Sequence, residues 1–337
     1  MNKLISAACI AISGCMAFSS AALAEKLIVT TNLPPTHWAS VHGAVPFMKC
    51  VSDATKGEVE FDYYDSGKLA NFFESLNAVN NGIAQISYIV VSAQSDKLPL
   101  TGITMLPGLG VSTVESTEAT RKVLDADGPI SKEYLGNNIV PLMINIFPAY
   151  QMMSTGKPFD TLAAMQGKRI SSGGGSLLVT LSTLGATAIE SASADLYLAL
   201  QQGTMDGTML STASIKPYSL QEVIKSVSAN GNFGIATGIW SIDSNVWAGL
   251  PETHKKAFKS CGLRVEKDLA VWADKMVADV QKELKAGGID VFDFTPEALK
   301  EIDGKLEAAR KDYIDRLKAR GLDSEKAYAD YVEALKK

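Results

Sequence analysis

The stretch with the clearest chemical potential is GKRISSGGGS, which covers residues 167–176. A glycine-rich loop beside a lysine is typical of a phosphate site, where backbone N–H groups surround the anion. A Walker loop places its lysine after the glycines, however, and Lys168 precedes them, so the order excludes a nucleotide site. The loop follows a predicted strand and opens a predicted helix. Its free N–H groups therefore suit an anionic or strongly polar ligand, and a plain turn without ligand fits the same pattern.

Residues suited to catalysis or metal binding do not form a recognisable arrangement. No G-x-S-x-G elbow occurs, and no Ser or Cys lies beside a sequence neighbour that would act as its base. The three histidines, His37, His42 and His254, are scattered and have no cysteine at metal-ligand spacing. We therefore expect no enzyme activity, no metal and no cofactor.

Composition limits the class of partner. The 337 residues are 46% hydrophobic and 20% charged, which is enough to bury one large core or two smaller ones. The formal net charge of −5 is opposite in sign to that of a surface that binds a phosphate backbone. We expect a globular protein that does not bind nucleic acid.

The N-terminus has the pattern of an export signal. After Lys3, an apolar run continues without a charge until Glu25, and small residues occur at Ala22 and Ala24. We predict that residues 1–24 are a cleaved signal peptide and that the mature protein is periplasmic. Two alternatives stay open: an uncleaved membrane helix, and lipoprotein processing at Cys15 in the lipobox-like ISGC.

Two cysteines, Cys50 and Cys261, remain once residues 1–24 are removed. An oxidising compartment permits a disulfide between them. Two buried thiols are the alternative, because sequence does not supply the Cα separation that a bridge requires.

Strands and helices alternate along the chain and must position any site. Apolar strands are predicted at 26–31, 58–64, 83–91 and 139–147, with helices at 36–54, 71–81 and 115–135 between them. A second series begins near residue 148, with strands at 150–154 and 168–171 and helices at 176–184 and 194–202. The alternation indicates two mostly parallel α/β units with a ligand cleft at the carboxyl ends of their strands.

The C-terminal third is predicted to be helical. Pro251 stands at the first turn of a helix that runs to about Ala286, where apolar residues recur every three or four positions. Such a helix is long enough to brace both units. Two lysine-rich amphipathic helices, 296–320 and 324–336, follow it.

Several motifs resemble one family, the substrate-binding proteins of tripartite ATP-independent periplasmic (TRAP) transporters, often labelled dicarboxylate-binding. DLYLALQQGTMDG at 195–207 is similar to the family's E-V-Y-x-A-L-Q-x-G-x-x-D-G. LGAT at 184–187, WAGLP at 247–251, SGKL at 66–69 and MQGKRI at 165–170 follow the family's order and spacing. The similarity runs from about Lys26 to the C-terminus.

This resemblance implies a monomeric receptor of the periplasmic binding protein type, with two α/β domains around a ligand cleft and a long helix bracing both. Domain I is expected to comprise 25–147 plus about 233–270, and domain II 148–232 plus about 271–337. Such a receptor closes over a small solute and delivers it to the TRAP membrane subunits without performing chemistry. A ligand sensor that presents its closed form to a membrane kinase is the alternative role.

The resemblance also assigns a set of ligand contacts. The expected hydrogen-bonding groups, backbone contributors and walls are Asn32, Asn71, Phe72, Tyr88, Tyr150, Gln151, Ser171, Ser172, Gly175, Ser193, Leu210 and Phe233. The family arginine that pairs with a substrate carboxylate corresponds to Ser171, and a second arginine of some members corresponds to Gln151. We therefore predict a neutral, zwitterionic or cationic solute. The alternative is an organic mono- or dicarboxylate held by loop 172–176 or by Arg169.

Overall fold

Two twisted sheets with helices on their faces form the molecule. The computed structural model describes residues 25–110 and 112–336. The predicted signal peptide, residues 1–24, lies outside the described residues. Among the described helices, none is long and apolar enough to cross a membrane.

The first sheet combines four strands from the N-terminal part of the chain with one strand that follows most of the second sheet in the sequence. Within the described residues its strand order is β2-β1-β3-β10-β4. The strands are β1 (Glu25–Thr30), β2 (Val59–Tyr64), β3 (Ile86–Val90), β4 (Ile139–Ile146) and β10 (Thr237–Asp243). The strands β1, β2 and β3 are parallel, whereas β10 runs antiparallel between β3 and β4.

The second sheet has the order β11-β9-β5-β8-β6-β7 in the described chain. Its strands are β5 (Tyr150–Ser154), β6 (Arg169–Ser172), β7 (Thr187–Glu190), β8 (Gly207–Ser211), β9 (Ser226–Ser228) and β11 (Asp290–Phe292). Strand β5 is antiparallel to both of its neighbours. Each sheet thus has one reversed strand, β10 in the first and β5 in the second, and its other described strands run in one direction. The prediction of mostly parallel sheets is therefore confirmed, with a reversed strand added to each because the chain crosses between the sheets.

Eleven α-helices cover the sheets in the described residues. They are α1 (Val45–Ala54), α2 (Ser75–Asn80), α3 (Thr113–Asp125), α4 (Pro129–Gly136), α5 (Leu162–Met165), α6 (Ser176–Thr183), α7 (Leu196–Gln201), α8 (Ser244–Gly249), α9 (Glu252–Ala286), α10 (Pro296–Ala319) and α11 (Ser324–Leu335). Short 3₁₀ helices lie at Val91–Gln94 and Thr101–Met105.

Several helix boundaries differ from the predictions. Thr36 is not a cap, since a π-helical turn begins at Ser40 and leads into α1. Asn71 lies in a turn before α2, where its side-chain oxygen accepts hydrogen bonds from the N–H groups of Phe73 and Glu74. Pro251 is the N-cap residue of α9 and not its first helical residue. At Asn71 the side chain thus satisfies two N–H groups ahead of α2.

Helix α9 contacts both sheets and is about 52 Å long, because 35 residues rise about 1.5 Å each. Its buried Glu266 forms a bidentate pair with Arg121 of α3, at 3.0 and 2.6 Å, and accepts a hydrogen bond from Ile144 N–H of β4. Cys261 of α9 is bonded to Cys50 of α1, with the two Cα atoms 5.7 Å apart. The open question of the cysteines is thus answered by a disulfide.

The C-terminal helices divide between the two units. Tyr313 and Leu317 of α10 and Tyr331 of α11 are buried with residues of the first sheet, and α11 packs on α3. This packing differs from the prediction that all of 271–337 belongs to the second domain. Amphipathic periodicity predicts that a helix has an apolar face but not which core that face joins.

Candidate functional site

A cavity lies between the two sheets, at the ends of their central strands. The cavity is narrow, because the space that it leaves for the centre of a water-sized sphere is about 30 Å³. First-sheet residues in or just after β1, β3 and β4 form one side, and residues of the second unit form the other. The lining residues are Asn32, Leu33, Phe72, Tyr88, Val90, Ser92, Phe147, Tyr150, Ser172, Gly173, Ser191, Ser193, Leu196, Thr208, Leu210, Tyr218, Ala236 and Thr237.

Five aromatic rings give the cavity its shape: Phe72, Tyr88, Phe147, Tyr150 and Tyr218. The ring of Tyr88 packs against Trp240 with centroids 5.0 Å apart, and its hydroxyl donates to Asn145 Oδ1 at 3.2 Å. Burial raises the pKa of Tyr88, Tyr150 and Tyr218, so all three hydroxyls stay protonated at physiological pH. Flat apolar faces with a few hydroxyl groups are typical of a small-molecule site.

Most lining hydroxyls are already hydrogen-bonded within the protein. Ser172 donates to the carbonyl of Met209 at 3.0 Å, and Thr208 donates to the carbonyl of Ser171 at 3.2 Å. Asn32 is different, because its side-chain oxygen is buried and has no hydrogen-bond partner among the described residues. An unpaired buried acceptor costs about 1–3 kcal/mol, which a ligand N–H or O–H would recover.

The cavity is electrically neutral. The lining residues, all in the described part of the chain, include no Asp, Glu, Lys, Arg or His. Behind the lining, the ring of His37 lies 5.7 Å from that of Phe147 and 5.8 Å from that of Tyr218. Its Nδ1 accepts from Ala39 N–H at 3.1 Å, and burial lowers its pKa to about 3. His37 is therefore uncharged as well.

The structure brings seven of the twelve predicted ligand residues to this cavity: Asn32, Phe72, Tyr88, Tyr150, Ser172, Ser193 and Leu210. The remaining five lie outside its lining: Asn71, Gln151, Ser171, Gly175 and Phe233. Asn71 shapes the turn before α2, as described above. Ser171 is fully buried, and its hydroxyl has no hydrogen-bond partner in the described chain.

The other predicted contacts have structural partners. Gln151 donates to the carbonyl of Gly231 at 2.6 Å and accepts from Ser228 at 2.7 Å, which anchors a segment that crosses between the sheets. Phe233 packs on Phe294 with ring centroids 5.6 Å apart. Gly175 lies against Ser95, a residue of the first unit.

Arg169, the alternative anion partner, also stands apart from the cavity. Its guanidinium pairs with the carboxylate of Asp206 at 2.7 Å and donates to the carbonyl of Gly203 at 2.9 Å. The Arg169 side chain is 44% exposed. In this arrangement the guanidinium is directed to the surface at the start of β6, and the cavity lies at the other end of that strand.

Sequence reasoning missed several lining residues. Ser92, Phe147 and Thr237 come directly after or at the start of strands, and Tyr218 lies in one of three successive 3₁₀ turns. The position of Ser92 after an apolar strand is the signal that could have located it, since ligands bind beyond the carboxyl ends of strands. No local pattern marks Tyr218.

A surface groove continues from the cavity. Asn32 and Tyr218 line both spaces, so they lie at the boundary between the inner cavity and the groove. The groove also includes Ser66 of the first unit and Tyr197 and Glu222 of the second. The geometry indicates that this groove is the mouth of the cleft.

Metal binding has no support in the part of the chain that the structure describes. No group of three or more His, Cys, Asp or Glu side chains there is placed to hold a metal ion. The site is thus described by shape, hydrogen bonds and aromatic faces.

Two α/β units around an uncharged aromatic cavity, joined by crossing segments and a long helix, define a solute-binding receptor of the periplasmic binding protein type. The model of the bacterial extracellular solute-binding protein family 7 matches residues 31–316. The chain belongs to this family, the substrate-binding proteins of TRAP transporters, which are receptors and not enzymes.

One relative in sequence and two solved structures are similar to this chain. A solute-binding protein of Albidiferax ferrireducens is 24% identical over 266 residues, which are 78% of this chain and 78% of the relative. A marine metagenome TRAP protein specific for aromatic acids, solved with 3-hydroxybenzoate, is 18% identical with a TM-score of 0.86, covering 93% of this chain and 98% of that one. A Bordetella pertussis receptor that binds pyroglutamic acid is 21% identical with a TM-score of 0.82, covering 93% and 100%.

Proposed function

We propose that this receptor captures a small, flat, uncharged organic solute in the periplasm and delivers it to the membrane subunits of a TRAP transporter. The observation that carries the proposal is the cavity itself, which combines five aromatic rings with a lining of uncharged side chains. Family membership supports the transport role. The alternative role as a ligand sensor for a membrane kinase has no feature of this site in its favour.

Solute charge follows from the cost of burial. A carboxylate taken out of water into this cavity would lose several kcal/mol of hydration without gaining a cationic partner. A cation would likewise find no carboxylate in the lining and would depend on the faces of the aromatic rings. Among the neutral, zwitterionic and cationic solutes predicted from the replacement at Ser171, the uncharged cavity therefore favours the neutral ones.

Hydrogen bonding restricts the solute further. The unpaired oxygen of Asn32 requires a donor, such as a hydroxyl or an amide N–H. The hydroxyls of Tyr150 and Tyr218 are protonated and so remain available as donors. A ring that carries both a donor and an acceptor matches these groups.

An aromatic carboxylate is the second candidate. The marine metagenome relative is solved with 3-hydroxybenzoate, and the loop 172–176 leads into the N-terminus of α6, whose dipole favours negative charge. This candidate requires backbone N–H groups to compensate a buried charge by themselves. Such compensation is weaker than that of a bidentate arginine.

A matched pair of probes separates the two candidates. We would measure thermal stabilisation and calorimetric affinity for 3-hydroxybenzamide and 3-hydroxybenzoate, which share a ring and a hydroxyl and differ in charge. We expect the amide to bind at least tenfold more tightly. A cost of about 1.4 kcal/mol for burying the unpaired carboxylate of the acid is enough for that ratio. Tighter binding of the acid would contradict the proposed neutral solute and support the loop 172–176.

Closure around the solute is the proposed transport mechanism. Two chain segments, 147–149 and 229–236, cross between the sheets and, with α9, are placed to act as a hinge. A solute that touches both walls of the cavity binds the closed form better than the open one and so shifts the population toward closure. The closed form would then dock on the membrane subunits.

A further inference from the structure

The glycine-rich loop at residues 172–176 faces the other unit of the protein. Gly173, Gly174 and Gly175 follow β6 of the second sheet, and they lie against residues 92–95, which follow β3 of the first sheet. The two segments come from different sheets and meet beside the cavity. Gly173 and Ser92 both line that cavity.

The approach is too close for side chains. A Cβ placed on Gly173 would lie 2.7 Å from Ser92 Oγ and 3.4 Å from Phe72 Cζ. One on Gly174 would meet the carboxylate of Glu190 in its own unit and would lie 2.6 Å from the backbone oxygen of Ser92. One on Gly175 would lie 3.1 Å from Ser95 Cβ. Separations below about 3 Å between such atoms require a shift: the Ser92 hydroxyl would have to rotate away from a side chain at residue 173, and the Ser92 backbone would have to move away from one at residue 174.

Backbone conformation explains part of this glycine requirement but not all of it. Gly174 and Gly175 have φ of 114° and 58°, in the region that favours glycine. Gly173 is outside the left-handed region, so its own backbone would accept alanine. At Gly173 only the approach of Ser92 and Phe72 opposes a side chain.

We propose that Gly173, Gly174 and Gly175 are positioning residues that set the distance between the two walls of the solute cavity. Their missing side chains let Ser92 and Phe72 of the first unit reach a solute that lies on Ser172 and Leu210 of the second. The loop thus serves solute enclosure and not the binding of a phosphate. This inference rests on the proposed closure around a solute and is independent of the charge of that solute.

The first test compares two alanine variants in the same unit. Gly173→Ala adds one methyl group at the contact, whereas a Cβ on the exposed Gly156 meets no atom within 4 Å. We expect Gly173→Ala to weaken binding about tenfold, as overpacking by one methyl typically does, while Gly156→Ala changes it less than twofold. Thermal melting of the solute-free variants checks that both are folded. Equal affinities of the two variants would overturn the proposal.

Affinity is measured with whichever of 3-hydroxybenzamide and 3-hydroxybenzoate binds the unmodified protein. Tighter binding of the acid would therefore reject the neutral solute and still permit the glycine test. If neither probe binds, the crosslinking test that follows decides the matter by itself.

The second test needs no solute. In the double variant Ser92→Cys, Gly173→Cys, the Cβ built on residue 173 lies 3.5 Å from Cβ of residue 92, which suits a disulfide. The native Cys50 and Cys261 are bonded to each other and do not compete. We expect mild oxidation to crosslink the double variant and neither single variant. A double variant that keeps the melting temperature of its singles and stays uncrosslinked would show that the two walls do not meet as proposed.

Discussion

His37 should make the protein less stable in mild acid. Its ring is fully buried, its Nδ1 accepts from Ala39 N–H at 3.1 Å, and burial lowers its pKa from 6.5 to about 3. Between these two pKa values the unfolded chain binds a proton at this position and the folded chain does not. The free energy of unfolding therefore rises with pH across this window, and this contribution, complete above 6.5, is lost as the pH falls toward 3.

The size of the stability loss follows from how far the pH lies below the pKa of His37 in the unfolded chain. Each pH unit below the unfolded pKa removes about 1.4 kcal/mol, so the loss due to His37 is about 2 kcal/mol at pH 5. Replacing His37 with Asn removes the titrating group, and the Asn oxygen can still accept the hydrogen bond from Ala39. The variant should thus lose about 2 kcal/mol less than the unmodified protein on acidification.

Urea unfolding followed by tryptophan fluorescence, at about pH 7.5 and at pH 5, measures this difference. Comparing the pH dependence of each protein cancels any constant cost of the substitution. His42→Asn is the comparison variant, because the ring of His42 is only partly buried and stacks on Trp272, and burial lowers its pKa in the same direction. Parallel pH dependences of the unmodified protein and His37→Asn would show that His37 is protonated in the folded state, contrary to this reasoning.

Four further substitutions test the bracing helix and the site. Glu266→Gln removes the buried carboxylate that pairs with Arg121, which keeps the exposed Asp125 at 3.3 Å, and should lower the free energy of unfolding by about 3 kcal/mol. Glu283→Gln, which breaks an exposed pair formed by the same helix, should cost less than 1 kcal/mol, and urea titration checks both. Asn32→Leu removes the unpaired acceptor and should weaken binding of a hydroxyl- or amide-bearing solute about tenfold by calorimetry. Arg169→Ala should change the affinity for that solute less than twofold. A larger loss would support the alternative in which Arg169 binds a carboxylate of the solute.

The family and the α/β class were predictable because their signals are local. DLYLALQQGTMDG at 195–207 combines a short helix, a turn and a strand in consecutive residues, and the structure has α7 and β8 there. The apolar stripe of 251–286 likewise predicted α9, whose length depends only on the pattern within one helix. The reversed direction of β5 and β10 was not predicted, since a strand's direction depends on the path of the chain between sheets.

The predicted ligand contacts on strands were harder to assign, because they depend on the face of the strand to which each side chain points. Neighbouring residues of a strand point to opposite faces, so a shift of one residue exchanges a lining position for a core position. This is the difference between Ser172, which lines the cavity, and Ser171, which does not. Gln151 and Leu210 are paired across β5 and β8, yet only Leu210 belongs to the lining.

The sequence by itself determined the family and the α/β class, because each depends on residue identity and local spacing. Tertiary structure decided the pairing of Cys50 with Cys261, which are 211 positions apart. It also decided the neutral lining and the contact between Ser92 and the glycine loop. These features join segments that are distant in sequence, and their proximity results from how the two sheets pack, which no local pattern encodes.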